Sequence, residues 1–497
     1  MSSEMHTSGY RAASALVNRK LVLQTAGGRT ARGPSAHPRF FTGFATAPAA
    51  AAAGLVALAD LARTDFRRTG RTADGRGKGG MGSAYRDPVV TGDGERLRFE
   101  SLSGCCGVYT RLDVLAPGLD GEWFDEGTTN VDINPALYTA LTRVGAGDPL
   151  RLSVGPDDLT VATLDGALVE KRVPLPERWL RGLAEVPAVA AEFEPRAQLG
   201  AAEARAFFQR LQAGPAVRWV LPAGRSLRAS TAAVPGAVCL PAAHRLAPLR
   251  PLLRFARSLR LYGPQVAAGG PAACSGWELD LGSMRFWLML SPANDRGFSG
   301  EGRLLDDLVL APPGTGETPD AGGARGADRA LIDAGLIAGL SAGASVLDIE
   351  AVAARGGISP DRVRSALAVL AGSGRVGYDC AEAAYFHREL PYAPERLAAL
   401  HPRLAGARTL AGADAVRRVG EDVEVLSGER RYLVHRTSDG RLGCTCRWWA
   451  DHQGGRGPCK HALAVSISEP SFAVSPLPAL PCSSPAVPAP AILEETR

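Results

Sequence analysis

Apolar and polar positions along this chain change rhythm several times, and each change predicts a different element. Leu55, Leu58 and Leu61 fall at helical spacing in an alanine-rich run, which predicts a helix over Pro48 to Arg63. Arg96-Leu-Arg-Phe-Glu100 alternates charged and apolar residues, as strands do. Leu150-Arg-Leu-Ser-Val154 and Leu159-Thr-Val-Ala-Thr163 repeat that alternation, and Trp277 to Leu290 predicts a hairpin around Gly282-Ser283. Helical text lies between them, for example Ala201 to Ala213. Strands and helices mix with no regular βαβ rhythm, so the expected class is α+β.

Beyond a Pro/Gly/Thr stretch at Pro312 to Arg325 the pattern shortens. Val346 to Arg355 is helical and Gly356-Gly357 ends it. Ser359-Pro360-Asp361 combines an N-cap, a proline for the first helical position and an acid for the first turn. Val363, Ala366, Leu367 and Leu370 then form one apolar stripe, and Arg375 to Tyr378 can pair with Ala384 to Phe386. Helix, turn, helix, hairpin is the order of a winged helix-turn-helix. Further on, Val423 and Val425, then Tyr432 and Val434, alternate with polar residues up to a Ser438-Asp-Gly440 turn. A strand with Cys444 and Cys446 follows, then a short helix from Cys459 to about Ile467.

A chain of 497 residues has room for roughly three domains. Its 45% hydrophobic and 22% charged residues describe a globular protein. The net charge of +5 is too small to declare a nucleic-acid protein. Of 56 basic residues only Lys20, Lys78, Lys171 and Lys460 are lysines, so arginine abundance follows composition and is weak evidence for phosphate binding. No stretch has the length and apolarity of a signal peptide or a membrane span, and a cytoplasmic location with no membrane partner is expected. In a reducing compartment clustered thiols bind metal more readily than they form disulfides.

That cluster is the most informative feature of the chain. Cys444-Thr-Cys446 and, after twelve residues, Cys459-Lys-His461 place three thiols and an imidazole within eighteen positions. Such a set suits one structural Zn2+ with no open coordination position. Residues i and i+2 of a strand share a side, so Cys444 and Cys446 can face one ion, and a helix N-terminus favours thiolate at Cys459. Gly454, Gly455 and Gly457 let the intervening loop fold back. His435 and His452 are nearby imidazoles that could replace His461. A module of some 40 residues buries too little apolar surface to fold alone, and metal ligation adds on the order of 10 kcal/mol. Trp448, Trp449, Tyr432, Leu463 and Val465 would complete its core.

Cys-x-Cys, a variable gap and Cys-x-His, after strands and ending in a helix, resembles the SWIM zinc finger. Cys446-Arg-Trp-Trp-Ala450 and Gly457-Pro-Cys-Lys-His-Ala-Leu-Ala464 strengthen the likeness to bacterial, actinobacterial-type SWIM proteins over about 428 to 468. Phe40-Phe-Thr-Gly-Phe44, Cys105-Cys-Gly-Val-Tyr109 and Ala384 to Tyr392 are similar to text in that family. The resemblance implies zinc held by Cys444, Cys446, Cys459 and His461, contact with DNA or proteins, and no catalysis by the finger.

The expected organisation is a disordered start (1–37), an α+β domain (38–311) and a linker (312–328). A winged helix-turn-helix-like segment (329–400), a small ββα-type zinc finger with its preceding strands (413–468) and a disordered tail (469–497) follow. The leading expectation is a non-catalytic zinc protein contacting DNA through a basic surface of finger and winged helix. The alternative is an adaptor whose finger docks a partner protein. Residues 429–468 carry seven basic against three acidic residues, and one zinc with three thiolates leaves about +3. Against DNA, the second winged-helix helix offers only Arg362, Arg364 and Ser365 for base contacts.

Weaker signals carry blander readings. Arg245, Arg250, Arg254, Arg257 and Arg260 among leucines read as a basic amphipathic helix with a solvated face. Gly339-Leu-Ser-Ala-Gly343 matches a nucleophile elbow but follows helical text where a strand is required. Gly75 to Ser83 fails phosphate-loop spacing, and Cys105-Cys106 reads as buried core thiols. No paired carboxylates or triad emerge in 38–311, so no enzyme is expected.

Overall fold

The computed structural model describes residues 39–66, 88–212, 214–292, 298, 333–337, 346–390, 402–437, 442–454 and 457–469, with the backbone of four short strands before residue 36. The expectations for 75–83, 312–328, 339–343 and 438–440, and for most of both termini, lie outside the described residues.

The protein is α+β, and every strand pairing among the described residues is antiparallel. An eight-stranded sheet runs in the order Gly127–Asn130, Val89–Gly92, Leu97–Leu102, Val108–Val114, Met284–Leu290, Ser275–Asp280, Ser258–Gly263, Glu194–Gly200. A five-stranded sheet joins Gly166–Lys171, Asp158–Thr163, Arg151–Val154, Phe41–Ala45 and Leu119–Trp123. Their shared core holds Phe41, Phe99, Leu112, Leu152, Trp277 and Phe286, and the helix Pro48–Arg63 lies in it. Gly54 interrupts the alanine run of that helix for a packing reason. A Cβ there would come within 2.8 Å of Leu112 Cδ2.

The other face of the eight-stranded sheet is polar at one end. Alternation of that kind normally turns the charged side to water, yet Arg98, Glu100, Arg111 and Asp113 are buried. A distant segment covers them. Residues 333–337, the helix Ile349–Gly356, the helix Pro360–Gly372 and the hairpin Val376–Asp379/Ala384–His387 follow the winged-helix order, with Leu347 bridging Tyr385 beside the hairpin. Ser359 caps the second helix as its sequence requires, its hydroxyl accepting from the Arg362 N–H. The hairpin lies on the charged end of the sheet. Asp379 pairs with Arg285 at 2.7 Å and Arg111 at 3.4 Å, and Glu382 with Arg96 at 2.6 Å and Arg285 at 3.2 Å. Phe386 lies beneath the guanidinium groups of Arg98 and Arg111, 4.2 and 5.1 Å from the ring centre. Arg388 donates to Glu100 at 2.6 Å and to the carbonyls of Leu183 and Val376. Burial raises the Asp379 carboxyl, but Arg111, Arg285 and Arg98 outweigh it and hold the group at about 2.

One expectation is corrected. Arg245 to Arg260 is not an amphipathic helix: Ala243–Leu252 is a 3-10 segment, and Ser258–Gly263 is a sheet strand. Pro248 and Pro251 remove helical hydrogen bonds there. Arg245 is buried, donating to the carbonyls of Ser291 and Gly107, so it presents no basic face. Cys105 and Cys106 are buried thiols, as expected, but they lie in the turn between two strands, where Cys106 takes a left-handed φ of 58°.

Replacing Arg388 by Met strands the Glu100 carboxylate in the interior, since both side chains are 0% exposed. The expected loss is about 3–5 kcal/mol of stability in denaturant unfolding; a change under about 1 kcal/mol would contradict this account.

Candidate metal centre

The finger is built on a four-stranded sheet, Val416–Val419, Asp422–Ser427, Arg430–Arg436 and Leu442–Cys444, with two helices, Arg447–His452 and Lys460–Ser468. Val423, Val425 and Val434 face the second of these helices and are fully buried against Ala462 and Val465. Cys444 ends its strand opposite Val434. Cys446 arrives by another route than the strand alternation expected of it. The strand stops at Cys444, and Cys446 is the N-cap of Arg447–His452. That helix, unforeseen in the sequence, ends at Gln453, where φ of 44° and then 78° at Gly454 reverse the chain. Gly457, at φ 72°, brings it back, and its carbonyl accepts from Trp448 Nε1 at 3.3 Å. Cys459 is the N-cap of Lys460–Ser468, its sulfur accepting from the Ala462 N–H at 3.3 Å.

These turns bring Cys444, Cys446, Cys459 and His461 together, with their ligand atoms all within 4.8 Å of one another and all four residues buried. His461 Nδ1 is 3.7 Å from Cys444 Sγ and 4.0 Å from Cys459 Sγ. Zn–S and Zn–N bonds of about 2.3 and 2.05 Å at tetrahedral angles separate N and S by roughly 3.6 Å. The nitrogen facing the thiols is therefore Nδ1. His461 Nε2 is buried with no hydrogen-bond partner among the described residues. The ring is held instead by Tyr432, stacked at 4.1 Å and 20°. His435 and His452 are not in the cluster. The His435 ring lies over Gly443, where a Cβ would meet it at 2.4 Å, and His452 packs edge-on against Trp448 at 4.5 Å.

The electrostatics ask for a cation. Hydrogen bonds from Cys444 and His461 and from the Ala462 amide lower the Cys459 thiol to about 4 against the cost of burial. The same contact with Cys459, together with burial, pushes Cys444 up, and burial raises Cys446. One thiolate is favoured, and each further one is opposed by it. A divalent ion reverses the sign of that interaction. The cluster fits one structural zinc, enclosed and without an open position for substrate.

The two tryptophans are packing residues. Trp448 lies between Arg403, 4.4 Å from its ring centre, and His452, while Trp449 packs on the finger core.

An enclosed site of three thiols and an imidazole at the junction of a ribbon and a helix defines a structural zinc finger. Residues 434–469 match the family described as SWIM zinc finger, and this part of the chain is a SWIM zinc finger. No curated protein matches the chain. Solved structures similar to it include proliferating cellular nuclear antigen from Entamoeba histolytica, at 11% identity and TM-score 0.32 over 51% of this chain and 99% of that one. Another is the PCNA2-PCNA3 complex from Sulfolobus tokodaii, at 9% and 0.36 over 51% and 99%. At those scores the likeness bears on neither fold nor function.

Purified protein is expected to hold one zinc per chain by elemental analysis, and Cys459→Ser to lose it. Tyr432→Leu is expected to weaken zinc binding about ten- to a hundredfold in chelator competition, as loss of a ligand-orienting contact does, with Tyr432→Phe near the parent. Equal affinity for both variants would remove the role of the stack.

Proposed function

We propose that the protein is a non-catalytic, zinc-stabilised adaptor whose finger docks a partner protein on the outer face of its four-stranded sheet. The supporting observation is the character of that face. Strand alternation turns Val419, Leu426 and Leu433 away from the helix, and they are 46, 46 and 41% exposed. Glu424 is opposite both Leu433 and Arg417, and it pairs with Arg431 at 3.6 Å. Apolar side chains among balanced charges suit a protein surface; a phosphate backbone calls for uncompensated positive charge.

The charge of the whole unit points the same way. Counting from the first strands, residues 413–469 hold nine basic and eight acidic residues, because Asp414, Glu421, Asp422, Glu424 and Glu469 offset Arg417 and Arg418. The winged-helix segment adds little for DNA. Its hairpin is engaged on the sheet, Arg362 pairs with Asp333, and Arg364 pairs with Asp361. Three buried thiols at a zinc site suit a reducing, cytoplasmic setting.

DNA contact is the second reading, favoured by exposed Arg430, Arg436, Arg447 and Lys460 on the finger. A photo-crosslinker placed at Leu433 of the full chain is expected to trap one partner protein, and Leu426→Glu with Leu433→Glu to abolish capture while zinc stays at one per chain. Capture unaffected by both glutamates overturns the docking face. Micromolar DNA binding that falls steeply with salt would favour the second reading.

A further inference from the structure

The finger helix Lys460–Ser468 belongs to two cores. Its first turn brings His461 to the metal site, and Ala462 and Val465 pack on the finger sheet. Leu463 and Ala464 are buried in a different cluster with Leu404 and Ala407 of the helix Pro402–Gly412, Val352, Leu367, Leu370 and Val376. Arg403 ties the two further, donating to the Pro458 carbonyl at 2.7 Å beside the ligand Cys459 while stacking on Trp448. Val376 is the first residue of the hairpin that docks on the eight-stranded sheet. Ala188, from the helix Glu177–Ala190 of the N-terminal domain, joins the same cluster. One buried cluster thus extends from the finger helix to Val376, whose carbonyl accepts from Arg388.

We propose that zinc loading of the finger and docking of the hairpin on the eight-stranded sheet are thermodynamically coupled. Two physical features carry the coupling. The finger helix starts at a ligand, Cys459, so releasing the ion frees the turn in which Leu463 and Ala464 stand. Those residues belong to the same buried cluster as Val376, and a close-packed core does not absorb the loss of members locally. The hairpin carries charges at its turn and just past its second strand, beside Val376, that are tolerated in the interior only in register. Asp379 and Arg388 are 1% and 0% exposed; besides Asp113 of the sheet, Arg111 pairs with Asp379, and Arg285 with Asp379 and Glu382. A shift there leaves buried charge uncompensated, so the hairpin is docked or undocked with little in between. Coupling free energy is reciprocal: weakening the hairpin's ion pairs must lower zinc affinity, although they belong to another part of the fold.

The test uses the full chain carrying one zinc, a stoichiometry set first by elemental analysis, so that failure of the metal reading is seen separately. Stripping the ion with a chelator is expected to speed hydrogen exchange at least tenfold in residues 376–390 as well as in 442–468. A rise confined to 402–469 overturns the proposal. In the reverse direction, Asp379→Asn and Glu382→Gln are expected to lower zinc affinity at least about fivefold in chelator competition, the low end of ordinary coupling. Glu382 is partly exposed, which keeps that variant informative if Asp379→Asn fails to fold. A Glu382→Gln protein with faster hairpin exchange and zinc affinity within about twofold of the parent also overturns the proposal.

Discussion

Three thiols and an imidazole enclosed within 4.8 Å of one another make a poor interior unless a cation shares it. Deprotonating Cys459 is favoured by its neighbours, and its charge then opposes deprotonation of Cys444. A divalent ion turns that mutual opposition into common attraction, and the rest of the finger follows from where the four ligands must stand. Both helix N-caps are ligand cysteines, so the ion fixes where both helices begin. The reversal at Gln453 and Gly454 and the return at Gly457 exist to bring Cys459 back to Cys444. His461 turns Nδ1 toward the thiols, and Tyr432 stacks on the face of its ring.

A second constraint of the same kind operates in the N-terminal domain. Arg98 and Arg111 sit within a sheet whose own Asp93 and Asp113 answer part of their charge. Asp379 adds a second partner for Arg111, and Glu382 pairs with Arg96 beside the same sheet, 286 positions away in the chain. Buried guanidinium groups and buried carboxylates are each costly alone, which makes the pairing specific. A hairpin with the wrong charges would not be accepted on that face. The hairpin that sequence order marks as the wing of a DNA-binding module is spent on this internal contact.

What could be read from the sequence was local. The helix Pro48–Arg63, the Ser359-capped helix, the two valine-bearing finger strands and the four clustered ligands all rest on spacing within a few turns of chain. What stayed hidden was non-local. Nothing near Arg245 shows that it ends in the interior on the carbonyls of Gly107 and Ser291. Alternation at Arg96 to Glu100 reveals a strand but not the segment that covers its charged side. The two prolines at 248 and 251 did carry a usable warning against a helix. Trp448 and Trp449, expected in the finger core, do pack there, Trp448 between Arg403 and His452 and Trp449 on the finger cluster.

The same distinction governs how the finger's charge should be weighed. A count over the ligand-bearing residues alone gives a basic module, because the window starts after the acidic strands. The folded unit includes those strands: Asp422 and Glu424 lie in register with Val419 and Arg417, next to Leu433 on the same face. A partner meets the folded surface, not the window. On that surface the exposed leucines have no counterpart in phosphate recognition, whereas apolar side chains ringed by compensated charge are what a protein interface buries. The helix that carries His461 packs both on this small sheet and on the core behind it, so the proposed docking face is backed by packed structure.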